Sequence, residues 1–177
     1  MRKLCLYIAC SLDGYIAQQN EDLSFLKLVE KEGEYYGYAA FTSQVDTIIL
    51  GRKTYDWVMR NVGSTQYDNG DRHVYVITRT ARPIHGRTIF YSEDLVELVN
   101  RLKSQQGKNI YCDGGAEIIK ALLEADLIDE MTISIVPILL GNGIPLFQDN
   151  RPEQLLELIE SKSFSIGLVQ LHYSRKR

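Results

Sequence analysis

Short apolar runs alternate with amphipathic segments along most of the chain. A run of four to eight apolar residues that is rich in β-branched or aromatic side chains and ends at turn-forming residues is typical of a strand buried on both faces. Such runs predict seven strands, the last of which we expect to bend at Gly167. They are residues 4–10, 45–50, 74–78, 88–91, 109–113, 130–136 and 164–173.

Between the strands, apolar side chains recur at the spacing of one helical face. This spacing predicts helices at residues 23–29, 54–59, 94–103 and 116–124. The expected cap of the first helix is Asp22 or Ser24, and that of the third is Ser92, because short polar side chains accept hydrogen bonds from the first free amides of a helix. The segment 61–71 is polar and holds two glycines, so we predict a flexible loop there.

The alternation of strands and helices predicts an α/β fold with a largely parallel sheet that helices cover on both faces. The pattern changes near the end, where no clear helix separates the strands at 130–136 and 164–173. An antiparallel pair of strands at one edge of the sheet satisfies this arrangement. Neither an internal repeat, a low-complexity tract nor a linker interrupts the 177 residues, so we predict one domain over residues 1–177.

Composition and charge narrow the classes of function. The chain is 45% hydrophobic, and its 23 acidic and 20 basic side chains give a formal net charge of −3. Because duplex binding usually needs an excess of basic residues, nucleic acid is not an expected partner. The apolar run near the N-terminus is too short for a signal sequence or a membrane span, so we expect a cytoplasmic protein without a membrane partner.

The cysteines and histidines do not form a metal-binding pattern. Cys5, Cys10 and Cys112 show no CxxC spacing, and the three histidines form no close cluster with them. A metal site is therefore not expected, and the thiols are predicted to be buried and reduced.

Three strand ends share a design that suits a phosphate ligand. The predicted strands lead into Gly51, into Arg79 and into the Gly114–Gly115 pair. In open α/β sheets, ligands bind at the carboxyl ends of the strands, where helix N-termini present free amides and glycine lets the backbone approach an anion. If the three strands are neighbours, Arg52, Arg79 and the glycine pair line one rim. The alternatives are a tight turn for the glycines and solvated surface charges for the arginines.

Four motifs along the chain resemble the dihydrofolate reductase-like superfamily. They are LYIACSLDGYIA, VDTIILGRKTYDWV, VYVITRT and IYCDGGAEIIKALLEADLIDEMTISIVPILLGNGIPLF. More closely, the chain is similar to the reductase domain of bacterial riboflavin biosynthesis, the C-terminal domain of the bifunctional deaminase-reductase, over residues 4–173. The resemblance implies a mixed sheet of about eight strands, parallel except at one edge, with flanking helices. It also implies NADPH as the hydride donor.

The resemblance further implies which residues bind the cofactor. The segment that holds the adenosine-side phosphates is matched by Gly51, Arg52, Lys53 and Thr54, and the strand end next to the adenine ribose is matched by Thr78 and Arg79. The glycine loop under the diphosphate is matched by Gly114, Gly115, Ala116 and Glu117. The positions that face the nicotinamide end are matched by Ala9 and Ile16. The paired glycines of dihydrofolate reductases are joined by a cis peptide bond, which is therefore implied here as well. An arginine fork suits a ribose 2′-phosphate.

The SLDG motif places Asp13 near the reaction centre of this family, as a proton donor or a substrate anchor. The alternative is an ordinary Asp-Gly turn. The first-helix carboxylate of dihydrofolate reductases has no clear match in this sequence. Its candidates are Glu21, Asp22, Glu30, Glu32 and Glu34. Tyr35, Tyr36 and Tyr38 are foreign to those enzymes, and they either line a flat ligand or pack the helix on the sheet.

The resemblance therefore predicts an NADPH-dependent oxidoreductase of a small heteroaromatic substrate, like 5-amino-6-(5-phosphoribosylamino)uracil reductase of riboflavin biosynthesis or like dihydrofolate reductase. The alternative is a non-catalytic nucleotide-binding or regulatory domain on the same scaffold, and a flavin in the same rim is a further one. The zinc motif of a deaminase is not found in the sequence, so the deaminase step is not expected. The riboflavin reductases pair through edge strands, which implies a homodimer.

Overall fold

The computed structural model describes residues 1–63, 65–68, 71–80 and 82–176, and none of the helices in these ranges is long and apolar enough to cross a membrane. The strands are β1 (Leu4–Ser11), β2 (Tyr15–Ala17), β3 (Val45–Gly51), β4 (His73–Ile77), β5 (Thr88–Tyr91), β6 (Asn109–Gly114), β7 (Glu130–Val136), β8 (Ile144–Pro145), β9 (Leu156–Ser163) and β10 (Val169–Arg175). The α-helices are α1 (Tyr38–Ser43), α2 (Arg52–Asn61), α3 (Thr65–Asp68), α4 (Leu95–Ser104) and α5 (Ala116–Glu124), and the 3-10 helices are Gln19–Glu21 and Ser24–Val29.

Eight strands form the central sheet in the order β5-β4-β3-β6-β1-β7-β10-β9. The pairs from β5 to β7 are parallel, whereas β10 runs antiparallel to both β7 and β9. The predicted mixed sheet with an antiparallel edge is therefore confirmed. β2 and β8 form a separate two-stranded antiparallel ribbon.

The central strands are buried on both faces, which explains their continuous apolar sequences. On β3, Ile49 belongs to a core cluster with residues of α4 and α5, while its neighbour Ile48 belongs to a cluster with residues of α2. Successive side chains of a strand point to opposite faces, so these two clusters lie on opposite sides of the sheet. A third cluster joins the 3-10 helix Ser24–Val29 to β7.

Six of the seven predicted strands are found with ends that differ by at most one residue. The seventh prediction is confirmed in part: β10 (Val169–Arg175) is the last strand, but residues 164–168 form the turn between β9 and β10, so no strand bends at Gly167. Gly167 allows this turn through its φ of +90°, and the Phe164 amide donates a 2.9 Å hydrogen bond to the Leu168 carbonyl. β9 escaped prediction because all eight of its residues are exposed, so no buried face marks its sequence.

The segment 61–71 is not the plain loop that its composition predicts. Residues 65–68 form α3, and Tyr67 is only 4% exposed. Its ring stacks on that of Tyr55 with 6.1 Å between centroids. A single buried aromatic ring anchors the segment, and periodicity cannot reveal an anchor of this kind within four residues. Residues 64, 69 and 70 of the predicted loop lie outside the described part of the chain.

The predicted helix starts need two corrections. α4 is capped by Asp94 instead of Ser92, because the Asp94 carboxylate accepts a 2.8 Å hydrogen bond from the Glu97 amide. The helix predicted at 23–29 is a 3-10 helix, and Asp22 accepts a 2.8 Å hydrogen bond from the Ser24 amide at its start.

The loop after β7 folds back onto the residues that follow β1. The Leu12 amide donates to the Ile138 carbonyl at 2.9 Å, and β8 pairs with β2. Gly143 has a φ of +146°, and a Cβ added there would lie 2.2 Å from the Ala17 carbonyl oxygen. Only glycine fits this contact, which brings the ribbon to the end of β1.

Candidate functional site

Three strand ends form one rim, as the sequence analysis required for a phosphate site. β4, β3 and β6 are consecutive, parallel neighbours in the sheet. β3 ends at Gly51 and β6 ends at Gly114. The residues that follow these ends, Arg52, Arg79 and Gly115, therefore leave the sheet at the same edge. We call residues 51–54, 78–79 and 114–117 the rim.

Two helices begin at the rim directly after a glycine. α2 starts after Gly51 and α5 after Gly115, and neither helix has a side-chain cap. A Cβ added to Gly115 would lie 3.0 Å from Thr54 Oγ1, and one added to Gly51 would lie 3.8 Å from the Gly115 nitrogen. The Gly114–Gly115 peptide bond is cis, as the resemblance implies. The two helix starts are thus in contact, and their free amides and positive dipole ends meet at one place.

The arginines of this region are partly paired with Asp56. Arg52 Nη1 lies 2.6 Å from Asp56 Oδ2, and Arg82 Nη1 lies 3.4 Å from Asp56 Oδ1. Arg79 is exposed and follows the buried Thr78 at the end of β4. Partly exposed ion pairs of this kind are worth only about 0–1 kcal/mol. An anionic ligand can therefore replace Asp56 at little cost.

Asp13 holds two loops together after β1. Its Oδ1 accepts hydrogen bonds from Ser11 Oγ at 2.5 Å and from the Leu140 amide at 3.1 Å, and its Oδ2 accepts one from the Gly141 amide at 2.7 Å. The Ser11 hydroxyl, followed by the two amides, holds the pKa of Asp13 below its usual value. An exposed carboxylate with a lowered pKa is a poor proton donor, so of the roles considered for Asp13 the geometry favours the substrate anchor and the Asp-Gly turn.

A cavity of about 220 Å³ lies against β1, β6 and β7. Five of the side chains that line it are tyrosines, namely Tyr7, Tyr35, Tyr36, Tyr38 and Tyr111. Ala9, the residue matched to the nicotinamide end, lies on the same wall. Tyr36 also packs edge-on against Phe164, with 4.9 Å between ring centroids. The tyrosine run therefore both lines a pocket and packs the fold, and the two alternatives for it do not exclude each other.

Asp113 directly precedes the glycine pair, and its carboxylate is held by two tyrosines. Oδ1 accepts a 2.5 Å hydrogen bond from the Tyr111 hydroxyl, and Oδ2 accepts one of 2.6 Å from the Tyr67 hydroxyl. Burial raises the pKa of Asp113, although both hydroxyl donors oppose the shift. Because Tyr111 lines the cavity, an acid with a raised pKa stands one hydrogen bond behind the cavity wall.

Sequence comparison shows which family has this arrangement. The family model of the RibD C-terminal domain matches residues 2–170. The chain belongs to the RibD C-terminal domain family. This finding confirms the resemblance to the riboflavin-biosynthesis reductase domain that the motifs indicate, and it assigns the chain to a reductase-like class.

Relatives and solved structures agree with this family. The uncharacterized protein YwjB of Bacillus subtilis (strain 168) is 40% identical over 175 residues, which cover 98% of each chain. The crystal structure of a putative riboflavin biosynthesis protein from Shewanella sp. PV-4 is similar at a TM-score of 0.88 and 32% identity, with 99% of both chains covered. A pyrimidine reductase-like protein from Corynebacterium diphtheriae shares the fold at a TM-score of 0.72 and 15% identity, over 99% of this chain and 92% of its own. This RibD C-terminal domain therefore has the predicted dihydrofolate reductase-like fold.

Most residues that the resemblance matched to the cofactor lie at the rim of this RibD C-terminal domain. They are Gly51, Arg52, Lys53, Thr54, Thr78, Arg79, Gly114, Gly115, Ala116 and Glu117. Glu117 is exposed and accepts a 3.1 Å hydrogen bond from Gln148 Nε2. Ala9 lies on the cavity wall, directly after Ile8, whose Cδ1 would lie 4.0 Å from a Cβ added to Gly114. Ile16 packs against the core cluster that contains Leu146 and is not among the described residues that line the cavity.

Sequence reasoning missed three features of the site. The Asp56–Arg52 pair has i, i+4 spacing on a helix and was readable from the sequence. Arg82 joins the same carboxylate only because the chain turns after β4. The contact between Tyr67 and Asp113 spans 46 residues and follows no spacing rule, so no local signal marks it.

Proposed function

We propose that this RibD C-terminal domain protein is an NADPH-dependent reductase of a small heteroaromatic substrate. One observation carries the proposal: the uncapped starts of α2 and α5 touch at the rim, where Arg52 and Arg79 follow neighbouring strands. Free helix-start amides and arginine side chains both bind phosphate. A dinucleotide with a diphosphate and a separate 2′-phosphate uses both kinds of donor.

The residues of the rim fit this cofactor. A side chain at position 115 would enter the space beside Thr54 Oγ1, so glycine keeps the amides of the α5 start accessible. Gly114, Gly115 and the first turn of α5 would hold the diphosphate, and Arg79 with Arg52 would hold the 2′-phosphate. The bound cofactor supplies a hydride, while the protein supplies position and protons.

The chain offers both a place for the substrate and an acid. The tyrosine-lined cavity suits a flat ring, whose faces can stack on aromatic side chains. Reduction of a C=N or C=O bond needs a proton on the heteroatom in addition to the hydride. We assign this proton to a relay from Asp113: the Tyr111 hydroxyl would give its proton to the heteroatom and take the carboxyl proton of Asp113 in return.

Titration with NADPH and with NADH tests the proposal, with the fluorescence of Trp57 in α2 as the signal. We expect NADPH to bind much more tightly than NADH. Arg79→Ala should weaken NADPH binding by about 1–3 kcal/mol, the scale of a hydrogen bond to a charged group, and leave NADH nearly unchanged. Arg60→Ala, at the other end of α2, is the matched control and should change neither affinity. Equal affinities of the wild type for the two cofactors would contradict the 2′-phosphate site.

The second candidate function is a non-catalytic nucleotide-binding or regulatory domain. The observation that favours it is the engagement of Asp13 with three hydrogen-bond donors, which leaves no acid at the position that the family motif indicated. Absorbance of the reduced nicotinamide, followed with 5-amino-6-(5-phosphoribosylamino)uracil, with its dephosphorylated form and with dihydrofolate, separates the two functions. Tight NADPH binding without oxidation by any of these compounds supports the second function.

We further propose that two copies of the chain pair through β9. It is the last strand of the sheet, and Leu158 and Ile159 on it are each 51% exposed. An exposed edge strand presents unpaired backbone groups to another strand. Glu157 and Lys162 lie equally far from the midpoint of β9, so two antiparallel copies would place opposite charges across from each other.

A further inference from the structure

Among the described residues, none of the side chains that line the substrate cavity is charged. This cavity is lined by the five tyrosines and by aliphatic side chains, with Ser134 as the remaining polar group. Within the part of the chain that the structure describes, neither an arginine nor a lysine lines it. A phosphate dianion buried in a protein needs cationic or amide donors. The cavity is therefore poorly suited to a phosphorylated group.

Tyr7, Tyr36 and Ser134 in the cavity walls already form hydrogen bonds within the protein. The Tyr7 hydroxyl donates to the Tyr36 carbonyl at 2.5 Å and accepts from Gln170 Nε2 at 3.0 Å. Ser134 Oγ also accepts from Gln170 Nε2 at 3.0 Å, and the Tyr36 hydroxyl donates to the Val29 carbonyl at 2.5 Å. These bonds leave the faces of the rings, more than their hydroxyls, for a ligand. Recognition therefore depends on shape and stacking.

The groove next to the cavity is mainly negative, although Arg72 is close enough to the cavity to oppose the rise that burial causes in the pKa of Tyr38. This groove of about 450 Å³ shares Val29 and Tyr36 with the cavity and is bordered by Glu30, Glu32, Glu34 and Lys31. Lys162 is close enough to lower the pKa of Tyr7, against the larger effect of burial, but its ammonium group lies 2.9 Å from Glu160. A phosphate that extended from the cavity into the groove would meet three carboxylates and one ammonium group, and like charges repel it there.

The size of the cavity limits the ligand further. Its volume of about 220 Å³ lies below the roughly 300–1,000 Å³ of sites for drug-sized ligands. We infer that the substrate is a flat, unphosphorylated heteroaromatic compound of one or two fused rings. This inference rests on the proposed reductase function and narrows its substrate class. It assigns the phosphate-binding capacity of the chain to the rim and excludes a ribosyl phosphate from the cavity.

A matched pair of probes tests this inference: 5-amino-6-ribosylaminouracil with and without its 5-phosphate, together with 7,8-dihydropterin as a two-ring compound. Binding is followed by tyrosine fluorescence on the full chain, both free and loaded with NADPH. We expect the unphosphorylated uracil to bind at least tenfold more tightly than its phosphate, and dihydropterin to bind as well. A phosphorylated compound that binds equally or more tightly overturns the inference, as does a failure of all three probes to bind. The NADPH titration is a separate experiment. If NADPH does not bind, the proposed reductase function is contradicted, but the comparison of the three probes on the free chain still shows which class of ligand the cavity binds.

A gain-of-function variant tests the charge argument independently. Tyr35 lines the cavity and is 69% exposed, so its replacement should be tolerated by the fold. Tyr35→Lys should raise the affinity for the phosphorylated uracil at least tenfold relative to the unphosphorylated compound. Tyr35→Gln, which removes the ring without adding charge, is the control and should leave that ratio unchanged. An unchanged ratio in the lysine variant overturns the argument that missing positive charge excludes phosphate.

Discussion

The Tyr67 hydroxyl donates a 2.6 Å hydrogen bond to Asp113 across 46 residues of sequence. Tyr67 belongs to the short helix α3, and Asp113 belongs to the strand end that leads into the rim. Burial is the main cause that raises the pKa of both groups. The bond therefore ties α3 to the strand end that leads into the glycine pair, at a carboxyl group whose pKa burial raises.

Asp113→Asn tests the raised pKa of this acid. In an unfolded chain an aspartate has a pKa of about 3.9. Because the folded pKa is higher, the folded protein holds a proton that the unfolded chain has already lost, and stability falls as the pH rises through the folded pKa. Asparagine can keep both tyrosine contacts and does not titrate. The free energy of unfolding of the wild type, minus that of the variant, should therefore decrease as the pH rises and become constant above the pKa of Asp113 in the folded protein.

Urea unfolding at a series of pH values above 4 measures this difference. Asp94→Asn is the control, because asparagine caps helices as well as aspartate does and the Asp94 side chain is exposed. If the wild type and Asp113→Asn have parallel pH profiles, Asp113 is not an acid of raised pKa, and its assignment as the proton source fails.

Gly115→Ala tests the contact between the two helix starts. The added methyl group would lie 3.0 Å from Thr54 Oγ1, so overpacking should cost about 1–3 kcal/mol of stability. NADPH affinity should fall at least tenfold, because the methyl group also covers the amides of α5. In the double variant with Thr54→Ala, stability should largely return while NADPH affinity stays low. Recovery of both properties in the double variant would show that the glycine serves packing alone.

Asp13→Ala tests whether this residue is a structural tie. The amides of Leu140 and Gly141 lose their acceptor in the variant, so their hydrogen exchange should become faster. The lowered pKa means that the tie is present above the unfolded pKa of about 3.9 and is lost as the pH falls through the folded value, so wild type and variant should converge in acid. Asp149→Ala, an exposed change in the same region of sequence, should not alter the exchange. If hydrogen exchange of these amides is unchanged in Asp13→Ala, Asp13 is not a structural tie and is again a candidate proton donor.

Leu158→Lys combined with Ile159→Lys tests pairing through β9. Lysine on an exposed edge strand opposes strand addition by charge and solvation. The wild type should elute as a dimer at micromolar concentration, and the double variant should elute as a monomer with an unchanged melting temperature. Leu139→Lys, at a residue that is 69% exposed in the loop after β7, should remain dimeric. A wild type that elutes as a monomer would contradict the proposed dimer. A double variant that still elutes as a dimer would show that the interface does not involve β9.

The sequence predicted the parts of the fold whose signals are local. Strands such as β3 are buried on both faces and therefore read as continuous apolar runs, and helices such as α5 bury one regular stripe. β9 gave no signal because both of its faces are exposed, and α3 gave none because one ring, Tyr67, anchors it. Local chemistry thus predicts elements that are shaped by the core and misses those that are fixed by single contacts.

In the candidate site too, the features with local sequence signals were predictable and those that depend on the folded surroundings were not. The rim was predictable, because Gly51 and the Gly114–Gly115 pair each stand where a strand becomes a helix. The pKa shifts of Asp13 and Asp113 were not predictable, because they depend on the Ser11 hydroxyl and the amides of residues 140–141 around Asp13 and on the burial of Asp113 in the folded chain. The same residue type thus has its pKa lowered at position 13 and raised at position 113, because the surroundings of the two side chains differ.

The contact of Thr54 with Gly115 has a mechanical consequence. A helix is stiff along its axis, and neither α2 nor α5 can tilt at its first turn without pushing against the other. The starts of α2 and α5 therefore form one stiff unit at the rim, and a ligand that binds there must fit the spacing that the two helices set.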